Sequence, residues 1–264
     1  GSAGTARYGG EAESIAEMGA AMVARHGIEP QRVFVTGLSA GGAMAAVMLA
    51  TYPDVFAGGA IIGGLPFACA QGVGQALQRM RSNPGRGQAA VDAVVQAPGL
   101  VPHRWPTVAI WHGSADQTVV AGNMDALAAQ WRGVHDIDGT AADEADGANW
   151  KRQRWMRGGR VVVETWRVAG MGHGVPIDPD GPNGLGSAGA YMLPVGIDST
   201  TEIARSWKLI PDDAKVSAPA TNDREMALRS SSTRAAGPSG RPTPAPSGIQ
   251  AVIEDALRSA GLMK

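Results

Sequence analysis

The most constraining feature of this sequence is a short apolar run at residues 33–36 that leads directly into the pattern G-x-S-x-G at residues 37–41. The β-branched and aromatic residues of the run predict a buried strand. Met44, Val47 and Met48 then follow at three- and four-residue spacing, which predicts a helix with one face on a core. A strand, a sharp turn and a helix are the context in which the central serine, Ser39, becomes a nucleophile.

The glycines of the pattern have a physical reason. A serine hydroxyl projects as a nucleophile only from a tight, strained turn, and we expect side chains at Gly37 or Gly41 to crowd the flanking strand and helix. Gly42 is expected to ease the same packing. Because the chain contains 37 glycines, the pattern alone is weak, and its flanking elements make it specific.

Composition excludes several classes of function. The chain has 264 residues and a net charge of −1, so it can bury a sizeable core, and nothing favours binding to nucleic acid or to a membrane. Five histidines without Cys or His clusters predict no structural metal, and we expect no cofactor. One cysteine, Cys69, excludes an internal disulfide framework. No signal sequence is recognisable, and the compartment and oligomeric state stay open.

Further strands and helices alternate along the chain. Strands are predicted at residues 58–62, 108–111 and 160–168, helices at 11–25, 75–81, 124–131 and 199–209, and loops at 136–149 and 176–189. In the first helix, Ile15, Met18, Met22 and Val23 share one face, which we expect to pack on the core. This alternation predicts an α/β fold with a mostly parallel sheet and helices on both faces.

Four segments are predicted from composition. Residues 1–10 form a flexible remnant, residues 11–212 the catalytic domain, residues 213–247 a linker rich in Pro and Ser, and residues 248–264 an amphipathic helix that starts with the capping box Ser247 to Gln250. This last helix covers an apolar surface of the same domain or binds a partner.

Three polar residues each follow a predicted strand, so they are expected to meet at one edge of the sheet. Ser39, Asp116 and His173 stand in the chain order nucleophile, acid and base that is typical of α/β-hydrolases. His112 is an alternative base, although its place beside a buried strand favours a structural role beneath the site. Alternative acids are Asp125, Asp178 and Asp180.

Several segments of the sequence resemble the polyhydroxybutyrate depolymerase family of esterases, which are α/β-hydrolases related to feruloyl and acetylxylan esterases. They are GLSAGGAM, YPDVFAGGA with GLPFACA, IWHGSADQTV followed by Asn123, GMGHGVP, GSAGAYMLPVGIDSTTEIARSWKL and the ending ALRSAGLMK. The resemblance, which covers residues 11–209, implies that Ser39 is the nucleophile, Asp116 the acid and His173 the base. It also implies that the backbone N–H of Ala40 is one donor of the oxyanion hole.

The sequence departs from this family at its N-terminus. Family members carry several strands and a His-Gly loop, which supplies the second oxyanion donor, before the position of Glu11. We therefore expect only the C-terminal strands of the fold, four where it has about eight. Strand 33–36 would then be an exposed edge, and Cys69 would lack the disulfide partner that relatives often have.

Substrate residues are less clear from the sequence. Leu65, Trp111 and Trp150, with Trp105 and Trp155, are candidates for an acyl or polymer groove, although such aromatic residues also serve packing. The 17 residues from Gly248 onward are too few for a separate polymer-binding module, which favours soluble esters or an intracellular role.

The predicted function is therefore that of a serine esterase acting on polyhydroxyalkanoate or short hydroxyacyl esters. Three alternatives stay open: an esterase that removes acetyl or feruloyl groups from polysaccharide, an inactive hydrolase-like fragment, and an acyltransferase, since an alcohol can intercept an acyl-enzyme in place of water.

Overall fold

The computed structural model describes residues 7–8, 10–82, 87–100, 102–181 and 184–212. The predicted linker at 213–247, the predicted C-terminal helix at 248–264 and most of the predicted N-terminal remnant lie outside these residues. The helices are α1 (Gly10–His26), α2 (Ala40–Thr51), α3 (Val73–Met80), α4 (Gln88–Gln96), α5 (Gly122–Val134) and α6 (Ser199–Ser206). None of the described helices is both long and apolar enough to cross a membrane.

A six-stranded sheet forms the centre of the molecule. Its strands are β1 (Phe34–Leu38), β2 (Gly58–Ile62), β3 (Thr107–Gly113), β4 (Asp143–Asp146), β5 (Trp150–Arg157) and β6 (Arg160–Val168), in the spatial order β1-β2-β3-β6-β5-β4. The first four in this order run parallel to one another. β5 pairs antiparallel with β6, and β4 pairs antiparallel with β5. All four predicted strands are confirmed.

Two strands of the sheet were not predicted. The acidic segment 136–149 was expected to be a loop, but it contains β4, whose carboxylates pair with cations of β5. Lys151 lies 2.9 Å from Glu144, and Arg152 lies 3.1 Å from Asp143. Because β4 is a partly exposed outer strand, charged pairs replace the apolar alternation on which strand prediction depends.

A small second sheet flanks the segment 176–189 that was expected to be a loop: its first strand overlaps the start of this segment and its second strand follows it. It consists of the short parallel strands β7 (Val175–Ile177) and β8 (Met192–Pro194). Strands of three residues carry too little periodicity to be seen in the sequence. They matter for the site because β7 begins two residues after His173.

Helices cover both faces of the large sheet, as predicted. One face packs against α1, α2, α4 and α5 through a cluster that includes Met48, Leu49, Ile110 and Trp131. The opposite face carries Ala109, Trp111, Trp166 and Val168, and it packs against α6 and the segment that leads to it through Ile203 and Ile197. This two-sided burial holds the ends of the parallel strands in fixed positions.

The buried face of α1 differs from the prediction. The buried residues of this helix are Ala12 and Ala16, whereas Met18 is 61% exposed and Met22 is 49% exposed. The helix approaches the core through its small residues, which allow a close approach, and Ile15 packs beside them, whereas Met18 and Met22 point away. The expectation that Met18 and Met22 face the core was therefore wrong.

β1 is the edge strand of the sheet, as expected. Among the described residues it pairs only with β2, in the register Phe34 to Gly58 and Leu38 to Ile62. Thr36, at the centre of the strand, is exposed. One row of backbone hydrogen-bonding groups on β1 therefore has no strand beside it in the described part of the chain.

Candidate active site

Ser39 stands in the turn between β1 and α2. Its backbone has φ 58° and ψ −116°, outside the regions that L-residues normally occupy. A non-glycine residue held in such a conformation carries strain that the surrounding structure must support. Here the support comes from both sides, since the Ser39 N–H donates to the carbonyl of Ile62 at 2.9 Å and the Ser39 carbonyl accepts from Ala43 at 2.9 Å.

The glycines of this turn do not contribute equally. A Cβ on Gly37 would overlap the carbonyl group of Gly41, and a Cβ on Gly42 would lie 3.0 Å from the carbonyl oxygens of Gly37 and Ile62. A Cβ on Gly41 would meet no atom within 4 Å. The prediction of crowding is thus right for Gly37 and wrong for Gly41. Gly42 eases the packing as expected.

Asp116 and His173 form a direct hydrogen bond. Nδ1 of His173 lies 2.7 Å from Oδ2 of Asp116, and both side chains are almost fully buried. The other carboxylate oxygen of Asp116 accepts the backbone N–H groups of Thr118 and Val119 at 2.9 Å each. Burial alone would raise the pKa of Asp116, but the hydrogen bonds from His173 and Val119 outweigh it and hold the pKa below its usual value.

The contact decides which ring nitrogen of His173 faces Asp116. A carboxylate accepts hydrogen bonds, so Nδ1 carries the donated proton, and Nε2 is the nitrogen that faces away from Asp116. Nε2 is buried and has no hydrogen-bond partner among the described residues. An oriented basic nitrogen of this kind is what a nucleophilic serine requires.

Ser39, Asp116 and His173 follow the C-terminal ends of the parallel strands β1, β3 and β6, which brings the three residues to one edge of the sheet. Gly63 lies directly after β2 and next to Ile62, whose carbonyl accepts the Ser39 N–H. The backbone N–H of Gly63 donates to the carbonyl of Trp111 at 2.9 Å. A Cβ on Gly63 would lie 3.2 Å from Cε1 of His173 and 3.6 Å from Oδ2 of Asp116. A backbone without a side chain therefore separates the turn of Ser39 from the pair formed by Asp116 and His173.

His112 lies behind Asp116 rather than in the open part of the site. Its Nε2 donates to the carbonyl oxygen of Val119 at 2.7 Å and lies 3.6 Å from Oδ2 of Asp116. Burial is the largest effect on the pKa of His112 and lowers it. This geometry fits the structural role that the sequence favoured for it.

The alternative acids are placed elsewhere. The carboxylate of Asp125 binds Arg167 at 2.7 Å. Asp178 forms an isolated bridge with Leu185 in the loop after β7. Of the four candidate acids, the structure brings Asp116 into contact with His173.

The predicted substrate residues divide into two groups. Trp111 is fully buried in β3 and stacks on Trp166, with ring centroids 4.5 Å apart, so it is a core residue and the expectation that it lines a groove was wrong. Trp150 opens β5 opposite Val168, at the same edge as the site, and is partly exposed. Leu65 follows β2 at this edge and is 8% exposed. Trp150 and Leu65 stay predictions.

Two neighbours of His173 were not singled out in the sequence. Besides Gly63, the ring of Tyr191 meets the imidazole edge to face, with centroids 6.4 Å apart. The backbone N–H of Val175 donates to the carbonyl of Tyr191 at 2.8 Å, which fixes this ring beside the histidine loop. Tyr191 lies 18 residues beyond His173, so no local pattern linked the two.

Known proteins share this sequence and architecture. Residues 2–153 match the family described as esterase PHB depolymerase. Poly(3-hydroxyalkanoate) depolymerase C of Paucimonas lemoignei is 41% identical over 206 residues, which are 76% of this chain and 49% of that protein. Feruloyl esterase B of Talaromyces stipitatus is 29% identical over 178 residues, which are 64% of this chain and 49% of that protein.

Solved structures agree with the fold. Acetyl xylan esterase from Aspergillus awamori superposes with a TM-score of 0.59 at 25% identity, over 65% of each chain. The α/β-hydrolase fold predicted from the sequence is therefore confirmed. The chain spans about half the length of the curated relatives it matches.

Proposed function

Since the chain belongs to the esterase PHB depolymerase family, we propose that it is a serine esterase that hydrolyses carboxylic esters through a covalent acyl-enzyme. The observation that carries this proposal is the hydrogen bond between His173 and Asp116, which leaves a buried basic nitrogen at the same sheet edge as the strained turn of Ser39. The resemblance seen in the sequence is confirmed at the level of the family.

In the first half of the reaction, Nε2 of His173 takes the proton of the Ser39 hydroxyl as its oxygen attacks the ester carbonyl carbon. Asp116 keeps the histidine in the required tautomer and stabilises the imidazolium that forms. The backbone N–H of Ala40, in the first turn of α2, donates to the carbonyl oxygen as its charge develops. The alcohol then leaves with the proton from His173.

In the second half, His173 takes a proton from water, and the resulting hydroxide attacks the acyl carbon of the ester on Ser39. Collapse of this intermediate releases the carboxylic acid and returns the proton to the serine oxygen. In the present geometry Nε2 has no described partner, so a rotation of the Ser39 side chain or the arrival of substrate completes the hydrogen bond.

The proposed substrates are polyhydroxyalkanoate or short hydroxyacyl esters. The depolymerase of Paucimonas lemoignei, at 41% identity, supports this class. The likeness to a feruloyl esterase and an acetyl xylan esterase favours a second candidate, the removal of acyl groups from polysaccharide by the same residues. Comparing acid release from poly(3-hydroxybutyrate), acetylated xylan and methyl ferulate separates the two.

The test of the reaction is hydrolysis of p-nitrophenyl butyrate by the 264-residue chain and by its Ser39→Ala variant. Ser14→Ala is the matched control, because Ser14 is an exposed residue of α1. We expect activity and fluorophosphonate labelling in the parent and in Ser14→Ala, and neither in Ser39→Ala. Circular dichroism verifies that all three are folded.

A parent that is folded but neither hydrolyses the ester nor reacts with the fluorophosphonate would overturn the proposal for this chain. It would favour the inactive-fragment alternative, since loss of one oxyanion donor costs about a hundredfold to a thousandfold in rate. Added alcohol tests the acyltransferase alternative, since a transferase yields a new ester in place of the free acid.

A further inference from the structure

A cavity of about 430 Å³ lies at the edge of the sheet opposite the candidate active site. It is bordered by the first residues of β3, Thr107 to Ala109, and of β6, Arg160 to Val162. These strands run parallel, and Asp116 and His173 follow their other ends. The cavity is therefore separate from the site proposed for ester hydrolysis.

Positive charge dominates the wall of this cavity. Its charged lining residues are Arg104, Arg154, Arg160, Arg205, Lys208 and Glu164. Two of the cations are neutralised, because Arg154 binds Glu164 at 3.0 Å and Arg205 binds Glu202 at 2.7 Å. The remaining three form no ion pair with a described residue, and the guanidinium of Arg104 donates a hydrogen bond to the neutral side-chain amide of Gln31, at 3.3 Å.

Arg160 carries a buried donor that has no partner. Its Nε is buried and has no hydrogen-bond acceptor among the described residues. Arg104 lines the same cavity, and burial, followed by the charge of Arg104, lowers the pKa of Arg160. A buried donor without an acceptor is costly, and an anion in this cavity would supply the acceptor and offset the like charges.

The same cavity has an apolar wall. Phe34 and Trp207 stack face to face, with ring centroids 4.5 Å apart and planes 10° from parallel. Val162 of β6 also lines the cavity. Flat aromatic surface next to a cationic group suits a ligand that has an acid group at one end and an apolar body at the other.

We propose that this cavity binds a small organic carboxylate, whose acid group contacts Arg160 and Arg104 and whose apolar part lies against Trp207 and Phe34. Guanidinium groups bind carboxylates through paired, charge-assisted hydrogen bonds. The volume is that of a small-molecule pocket rather than a polymer surface. Three cations without an ion pair to a described residue line this half-open cavity, in a chain whose net charge is −1.

Calorimetric titration of the 264-residue chain with sodium benzoate tests the proposal. Acetate supplies the acid group without the apolar body, and inorganic phosphate supplies an anion of different geometry. The variants are Arg160→Gln and Arg104→Gln, and Arg25→Gln is the matched control because Arg25 is an exposed residue of α1. Arg104 is exposed as well, so its variant stays informative if Arg160→Gln fails to fold.

We expect benzoate to bind at one site, more tightly than acetate or phosphate. Each cavity variant should weaken its binding by about tenfold or more, which corresponds to about 1.4 kcal/mol, whereas Arg25→Gln should bind as the parent does. Absence of benzoate binding up to about 10 mM, in the weak range of affinities, would overturn the proposal. Equal affinity in all variants, or phosphate binding tighter than benzoate, would overturn it too. The readout is binding, so it is independent of ester hydrolysis.

Discussion

Nδ1 of His173 lies 2.7 Å from Oδ2 of Asp116, in a contact from which most of the solvent is excluded. If the contact orients a catalytic base, Asp116→Asn should preserve the fold and remove the activity. An amide at this position donates a hydrogen bond to Nδ1, which moves the ring proton to Nε2, where a base is needed. We expect kcat for p-nitrophenyl butyrate to fall by about ten-thousandfold.

Asp125→Asn is the control for this prediction. Asp125 is an alternative acid in the sequence, and its carboxylate binds Arg167 of β6 at 2.7 Å. The variant should keep kcat within about threefold of the parent, since it affects a half-exposed ion pair of small energetic value. A large loss in Asp125→Asn together with full activity in Asp116→Asn would reverse the assignment.

The turn that presents Ser39 yields a second prediction, which compares its two pattern glycines. Gly37→Ala places a methyl group on the carbonyl of Gly41, so the turn must open, and we expect the free energy of unfolding to fall by about 3 kcal/mol or more. Gly41→Ala meets open space in the first turn of a helix and should leave stability unchanged or raise it by up to about 1 kcal/mol. Urea unfolding of both variants measures the difference, and equal losses would contradict this account of the turn.

How far the sequence predicts the site depends on the distance between partners along the chain. The turn of Ser39 is local, so its strand, glycines and helix are all visible within residues 32–49. Asp116 and His173 were found because each follows a strand and parallel strands end at one edge. Tyr191 carries no such signal, since its contact with His173 depends on how β7 and β8 pair.

Burial was harder to predict than strand position. β2 and β6 have the predicted bounds, yet Trp111 was assigned to a groove although the structure buries it against Trp166. Aromatic residues near strand ends look the same in sequence whether they pack or bind ligand. In α1 the helix itself was predicted, but the close approach through Ala12 and Ala16 leaves Met18 and Met22 exposed.

The edge position of β1 leads to a third prediction, on self-association. An exposed edge strand offers its backbone groups to another chain, and a lysine at its exposed centre opposes such pairing. We expect any concentration-dependent association of the 264-residue chain in sedimentation velocity to decrease in Thr36→Lys. Thr140→Lys is the control, because Thr140 is an exposed residue that precedes β4, at the other edge of the sheet. A decrease that is equal in both variants would reflect net charge rather than the edge.

His135 leads to a prediction on the pH dependence of stability. It follows α5, is 4% exposed, and its Nε2 lies 3.0 Å from the carbonyl oxygen of Pro106. Burial is the largest effect on this ring and lowers its pKa from the ordinary 6.5 to about 4. Above pH 6.5 the ring is neutral in both the folded and the unfolded chain, so it adds no pH dependence there.

Below that value the unfolded chain binds a proton that the folded chain does not. The free energy of unfolding should therefore fall by about 3 kcal/mol between about pH 6.5 and about pH 4 through this group alone. His135→Gln keeps an N–H donor for the carbonyl of Pro106 but cannot titrate, so its stability should fall less over the same range. Urea unfolding of both proteins at several pH values gives the difference, and parallel pH profiles would show that His135 does not control it.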